Sequence, residues 1–325
     1  MKPSARARIL KLWPMLLLAV AAQVLAAPSG DQPIALETAG GAVAGTLRLP
    51  AGADKVPVVL IIAGSGPTDR DGNSAMLPGH NDSLRMLAEA LAQAGFASVR
   101  YDKRGIGASR NAAPDESQLR FDTYIEDAVA WIAKLKADPR FSSVAVIGHS
   151  EGALIGMLAA ERAGASAYVS LAGVAEGPGA ILRKQTAGKL PPPLAADNER
   201  ILASLEQGKP VADVPPALAA WYRPSVQPYM ISWMQYVPSR RIVALRMPVL
   251  IVQGTTDIQV DAGQAKALQA AKPEAKLAII PGMNHVLKEV PLEPQRQLAS
   301  YGDPALPLAP GLVDAIAGFL RGVQR

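Results

Sequence analysis

Apolar and polar positions along the chain fall into two alternating rhythms. The stretch 34–50, IALETAGGAVAGTLRLP, predicts two strands around a Gly-Gly turn. VPVVLIIAGSGP (56–67) is a continuous apolar run ending in glycines, the pattern of a strand buried on both faces. In 82–95, Leu84, Leu87, Ala88 and Leu91 recur at helical spacing, and Gly95 supplies a stop. FASVRYD (96–102) predicts the next strand. Helical spacing returns with Ile125, Ala128, Val129, Ile132 and Leu135, followed by a strand in SSVAVIGHS (142–150). A mostly apolar helix over 151–164 and a strand in SAYVSLAG (166–173) follow.

The rhythm then breaks. From 176 to 244 the chain is punctuated by proline, rich in Trp, Tyr and Met, and without a strand pattern. It resumes with a strand in 247–257, a helix in 261–273, a strand in 275–285 and a final helix in 311–323. Strands alternating with helices imply an α/β fold whose sheet is mostly parallel, eight-stranded and covered by helices on both faces. The segment 176–244 is expected to be an insertion after the sixth strand, dividing the core into 27–175 and 245–325. No internal repeat or low-complexity tract is present.

The first 26 residues belong to neither part. Lys2, Arg6, Arg8 and Lys11 precede an apolar run that ends in Val24-Leu25-Ala26, the layout of a signal peptide cleaved near Ala26. The apolar run is short for a membrane span. The expected product is exported, either periplasmic or secreted, with no stable membrane anchor. Four positive residues and no acid lie before Ala27, so the net charge of +5 falls to +1 in the remainder. No basic patch interleaves with aromatics, and nucleic acid is not an expected partner. Hydrophobic residues make up 49% and charged residues 19% of the 325, enough for a large core. Cysteine is absent, which excludes disulfides, a thiol nucleophile, a thiolate metal site and a lipid anchor on cysteine.

Candidate chemistry centres on Gly148-His149-Ser150-Glu151-Gly152. Alone, this could be a Gly-rich turn with a capping serine. Between a strand and a helix it has the context of a nucleophile elbow, with Ser150 on a sharp turn. A serine needs a base, and in this fold class the order is serine, acid, histidine. Of the three histidines, only His285 follows Ser150. His149 is expected to point away as a packed or surface neighbour, and His80 to be a loop residue. Asp257, in the loop that follows Gly254 at the end of the strand stretch 247–257, is the favoured acid. Asp261 competes but has the position of a helix N-cap. The backbone N–H groups of Glu151 and Ser65 are the candidate oxyanion hole. The acidic DRDG after it has no calcium-loop spacing, and no metal or cofactor is expected.

With these residues in hand, the chain resembles the α/β-hydrolase superfamily. The resemblance rests on Gly148–Gly152, YDKRGIGAS (101–109), GTTD (254–257) and Asn284-His285, in that order, and spans nearly the whole chain after residue 27. Within the superfamily, GSGPTDRDGN and GHSEGA are similar to bacterial members described as serine aminopeptidase-like, lysophospholipase-like or cinnamoyl-esterase-like. Many members carry His-Gly in the oxyanion loop, where this chain has Ala63-Gly64. The resemblance implies that Arg104, Gly105 and Gly107 are scaffold and that 176–244 is a helical lid. Trp221, Tyr222, Tyr229, Met230 and Trp233, with Met234 and Tyr236, would either line an apolar substrate site or pack the lid on the core.

The leading expectation is a serine hydrolase of small-molecule carboxylic esters working through an acyl-enzyme. An amidase or aminopeptidase is an alternative that needs an acid to hold a substrate amine. Glu199, Glu206 and Asp213 are candidates for that role. A thioesterase, or a non-catalytic binding protein on the same fold, are further alternatives. Oligomeric state is not legible.

Overall fold

The computed structural model of the chain describes residues 30–52, 55–113 and 115–323. The expected signal peptide 1–26 and its expected cleavage point lie outside them. β1 (Gly30–Thr38) and β2 (Gly41–Leu49) form an antiparallel hairpin in register from Gly30 opposite Leu49 to Thr38 opposite Gly41. The alternating units follow: β3 (Val56–Ile62), α1 (Ser83–Gln93), β4 (Ala97–Tyr101), α2 (Phe121–Ala137), β5 (Phe141–His149), α3 (Glu151–Ala163) and β6 (Ala167–Leu171). With β7 (Val249–Gly254) and β8 (Lys276–Ile280), one eight-stranded sheet results, in the order β1-β2-β4-β3-β5-β6-β7-β8. Strands β3 to β8 run parallel, and β2 meets β4 antiparallel.

The apolar runs have a simple cause. On β3, Val58, Leu60 and Ile62 enter a core shared with α2 and α3, through Trp131, Ile132, Ile155 and Leu158. Val59 and Ile61 enter the opposite core, with Leu84, Leu87 and Leu91 of α1 and Ile316 and Leu320 of the last helix. Strand side chains alternate between faces, so a sheet covered on both sides needs apolar residues at every position. α1 and α3 therefore leave neighbouring strands, β3 and β5, towards opposite faces. Between those strand ends lies a crevice, the topological switch point where α/β folds bind ligands.

Between β6 and β7 (Val249–Gly254) the chain forms five helices: α4 (Pro178–Thr186), α5 (Pro192–Glu206), α6 (Ala219–Tyr222), α7 (Gln227–Trp233) and α8 (Pro238–Arg241). Four of them, α4, α5, α7 and α8, carry proline in their first two positions, where its missing N–H costs nothing and its fixed φ suits the first turn. Several of the prolines that interrupt the sequence pattern are thus helix starts. α9 (Ala262–Ala271), β8 (Lys276–Ile280), α10 (Pro294–Ser300) and α11 (Leu312–Val323) complete the fold. α10 has no counterpart in the sequence expectation, because its apolar Leu298 is 68% exposed and seven residues give little periodicity. Among the described residues no helix is long and apolar enough to cross a membrane.

Candidate active site

β5 delivers Ser150 with φ 55° and ψ −120°, a conformation that a non-glycine residue adopts only when its surroundings impose it. The surroundings here are backbone. A Cβ on Gly148 would lie 2.1 Å from Gly152 O, and one on Gly152 would lie 2.4 Å from Ile62 O and 2.6 Å from Ala63 O. Strand β5, helix α3 and the end of β3 therefore meet at van der Waals distance only because both positions lack side chains. That is the physical content of the Gly-x-Ser-x-Gly spacing.

The loops after β7 and β8 are zipped together in the same way. A Cβ on Gly254 would lie 1.8 Å from Met283 O. Thr255 N donates to Ile280 O, Thr256 N to Met283 O, and Thr256 Oγ1 to Gly282 O. This juxtaposition brings Asp257 and His285, 28 residues apart, to one point: His285 Nδ1 stands 2.8 Å from Asp257 Oδ2. His285 Nε2 stands 3.2 Å from Ser150 Oγ. Asp261, the competing acid, caps α9 by accepting from Gly263 N.

Asp257 is 8% exposed and has four donors. Gln259 N and Val260 N bind Oδ1, while Gln253 Nε2 and His285 Nδ1 share Oδ2. Burial pushes its pKa up, but the charge and bond of His285 and the two backbone donors outweigh burial and hold it below the ordinary value. The group is an anion built to orient an imidazole.

His149 is also buried, and its Nε2 lies 2.8 Å from the backbone oxygen of His285. The two rings are 4.9 Å apart. This corrects the expectation that His149 points away from the site: the loop after β8 folds over the end of β5 and meets the ring. Burial, reinforced by the neighbouring His285, drives the His149 pKa down to about 3. The ring is thus a neutral N–H donor that braces the backbone of His285.

Behind the elbow, Lys103 and Glu151 form an ion pair at 2.9 Å with side chains 1% and 4% exposed. Lys103 Nζ also donates to Gly64 O at 2.5 Å and sits 5.3 Å from the centre of the Tyr124 ring. Tyr229 Oη donates to Glu151 Oε1 at 2.6 Å. Neither side chain was singled out by the sequence. Each stands inside a recognised motif, YDKRG or GHSEG, but 48 residues separate them, and periodicity gives no hint that either charge turns inward.

Of the residues expected to be scaffold, Arg104 forks onto both oxygens of Asp127 at 2.6 Å, and Gly107 packs on the Asp102 carboxylate. Ser65, in the loop after β3, is exposed beside Gly64, and a Cβ on Gly64 would lie 3.2 Å from Ser150 Cβ. Glu151 N is the first N–H of α3, with no intrahelical acceptor. In the DRDG turn, Asp69 accepts from Asp71 N and Asn73 N, and Asp71 from Arg100 Nε. His80 is an exposed loop residue.

A narrow cavity of about 10 Å³, room for about one water, adjoins Ser150. Leu154 and Met157 of α3, with Val174, Glu176, Pro178 and Trp233, are among the residues that line it. Of the five aromatic and Met positions expected at the substrate site, Trp233 reaches this lining. Tyr229 and Met230 are buried against the core, with Tyr229 5.5 Å from the Tyr124 ring. Tyr222 is buried within the insertion and donates to Asn198 Oδ1, and Trp221 is 45% exposed. Neither lines the cavity. Glu199 and Glu206 bind Arg183 at the surface, and Asp213 is exposed. The carboxylate that does reach the cavity from the insertion is Glu176, already bonded to Lys184 and to Gln264 Nε2.

Residues 77–290 match the model of the family described as serine aminopeptidase, S33. Esterase EstD of Thermotoga maritima is 28% identical over 257 residues, which cover 77% of this chain and 60% of that esterase's length. Among solved structures, Est1E from Butyrivibrio proteoclasticus superposes with a TM-score of 0.57 at 20% identity, covering 90% of this chain and 98% of its own. The α/β serine hydrolase without lid XC6422 from Xanthomonas campestris gives a TM-score of 0.51 at 19% identity, with 91% and 95% covered. These likenesses establish the α/β-hydrolase fold.

Proposed function

The chain belongs to the serine aminopeptidase S33 family, and from that premise we propose that it is a serine hydrolase of carboxylic esters. One observation carries the reading: Ser150, on its strained turn, has its Oγ 3.2 Å from His285 Nε2, while Asp257 holds the other ring nitrogen at 2.8 Å. His285 takes the Ser150 proton as Oγ attacks the ester carbonyl. Asp257 keeps the ring in the productive tautomer and balances the imidazolium. The N–H groups of Ser65 and Glu151 receive the oxyanion, aided by the positive end of α3. Collapse releases the alcohol with the proton from His285. Water, activated by the same ring, then frees the acid from Ser150.

EstD and Est1E, both described as esterases, support the ester reading over the amide one. The charge of Glu176, the insertion carboxylate at the cavity, is already paired with Lys184 through Oε2, which weighs against its holding a substrate amine. In this reading 176–244 is a lid that sets acyl or aryl preference through Trp233. Residues 1–26 direct export to the periplasm or beyond.

The test is hydrolysis of p-nitrophenyl esters from acetyl to palmitoyl, beside aminoacyl-p-nitroanilides. Ser150→Ala is expected to lower ester kcat by about 10,000-fold or more. Undiminished turnover in the variant would overturn the site. Anilide hydrolysis faster than ester hydrolysis would move the assignment to an amidase.

A further inference from the structure

We infer that Lys103 is a positioning residue for the oxyanion hole, clamping both of its halves through the buried pair with Glu151. The inference rests on the triad reading above. It begins with where the ammonium is spent. Lys103 Nζ, almost wholly buried, divides its donors between Gly64 O at 2.5 Å and Glu151 Oε2 at 2.9 Å.

Gly64 O and Ser65 N–H belong to one peptide unit. In a trans peptide these two groups point in opposite directions. An ammonium that grips Gly64 O therefore fixes the direction in which Ser65 N–H points. It also draws electron density through the amide and makes that N–H a better donor. Glu151, the other partner of the ammonium, is the residue whose own N–H is the second candidate donor. The same bond thus ties the loop after β3 to the first turn of α3, two segments that the Gly64–Ser150 approach already places side by side.

Chemistry explains why a charged pair is needed at such a place. A loop after a strand has no ladder to hold its peptide planes, and Gly64 has no side chain to restrict them. A neutral donor would satisfy Gly64 O but would leave the plane less firmly held than a charge-assisted bond does. Burying an ammonium unpaired would be strongly unfavourable, and Glu151 resolves that. Tyr229 from the insertion completes the cluster by donating to the second oxygen of Glu151 at 2.6 Å. The clamp accordingly reaches from the helical insertion to the peptide beside Ser150.

The test variant is Lys103→Met with Glu151→Gln. It removes both charges together, keeps similar volumes, and leaves an amide oxygen for Tyr229. With p-nitrophenyl butyrate, kcat is expected to fall about 10- to 100-fold, less than the loss of a whole oxyanion donor, with KM within about threefold. A trifluoromethyl ketone, whose hemiketal oxygen occupies the hole, is expected to lose affinity by the same factor as kcat. The acid limb of the kcat/KM pH profile is expected to stay in place, because Asp257 and His285 are untouched. Unchanged kcat and ketone affinity would overturn the inference, as would a loss of kcat with no loss of ketone affinity. Circular dichroism monitors folding. If the double variant is unfolded, Glu151→Gln alone decides: a parallel fall in kcat and ketone affinity of about threefold or more supports the clamp, and wild-type values overturn it. Wild-type protein that neither hydrolyses esters nor reacts with a fluorophosphonate would sink the triad reading itself. An active wild type with unaffected variants would sink only the clamp.

Discussion

The surroundings of Ser150 divide into a wall of strand ends with the loops that leave them and a wall of inserted helices, and different forces hold the two. On the strand-end wall, backbone meets backbone: Gly148 on Gly152, Gly152 on Ile62 and Ala63, Gly254 on Met283. Its carboxylate is buried and held from four sides, by the donors of Gln253, Gln259, Val260 and His285 on Asp257. On the helical wall, side chains do the holding. Phe121 of α2 stacks on Trp233 at 6.0 Å and lies 5.9 Å from Tyr229 and 5.6 Å from Tyr236. The insertion's largest ion-pair cluster, Arg183 with Glu199 and Glu206, is 31%, 57% and 38% exposed. The first wall has almost no freedom to vary without loss of the triad geometry. The second tolerates repacking, which is what the substrate-selecting role proposed for the insertion requires.

Substitutions on each side sharpen that contrast. The largest effect after Ser150→Ala is expected from Asp257→Asn, which preserves shape but not charge or tautomer: a fall in kcat of about 1,000- to 10,000-fold with KM nearly constant. A loss below about tenfold in steady-state kinetics would mean that the strand-end wall is less constrained than its bonding implies. Trp233→Ala, on the other wall, is expected to raise KM for the preferred ester about tenfold while kcat stays within about threefold, the signature of lost uniform binding. A kcat loss larger than the KM rise would place Trp233 with the chemistry instead.

His149 offers a subtler probe. Its folded pKa of about 3 lies below its ordinary 6.5, so the unfolded chain takes up the proton first as pH falls. The stability tied to the neutral ring is complete above about pH 6.5 and is lost progressively towards pH 3. The unfolding free energy from urea titrations should therefore drop between pH 7 and pH 4.5 by roughly 2 to 3 kcal/mol from this group. His149→Gln, which keeps a donor but does not titrate, should flatten that part of the curve. Equal slopes for both proteins would refute the neutral-brace role. The smallest effect is expected from Arg183→Ala, whose several ion-pair bonds are solvent-screened: a change in stability within about 0.5 kcal/mol.

The same division governs what could be read from the sequence. The meeting of Ser150, Asp257 and His285 was legible because strand ends announce themselves by apolar runs, and because His285 is the one histidine after the elbow. The insertion was legible only as a break. Its prolines read as interruptions although several begin helices, and its aromatics gave no sign of which face each would occupy. Trp221 and Tyr222 lie next to each other, yet one is exposed and the other sealed against Asn198. The role of His149 and the pairing of Lys103 with Glu151 were hidden for a related reason. Each is a contact between segments far apart in the chain, set by how the loops close over the strand ends, and hydrophobic periodicity carries no information about that.

The direct pairing of β6 with β7 has a consequence for the way the molecule can change. Leu171 and Val252 are register partners, although the entire insertion lies between their strands. The sheet holds the two ends of that excursion side by side whatever fills it. Closing a longer excursion between fixed ends costs only about 0.6 kcal/mol for each doubling of its length. The insertion thus occupies a socket: its helices can be lengthened, trimmed or exchanged while the strand register, and with it the geometry around Ser150, stays as it is.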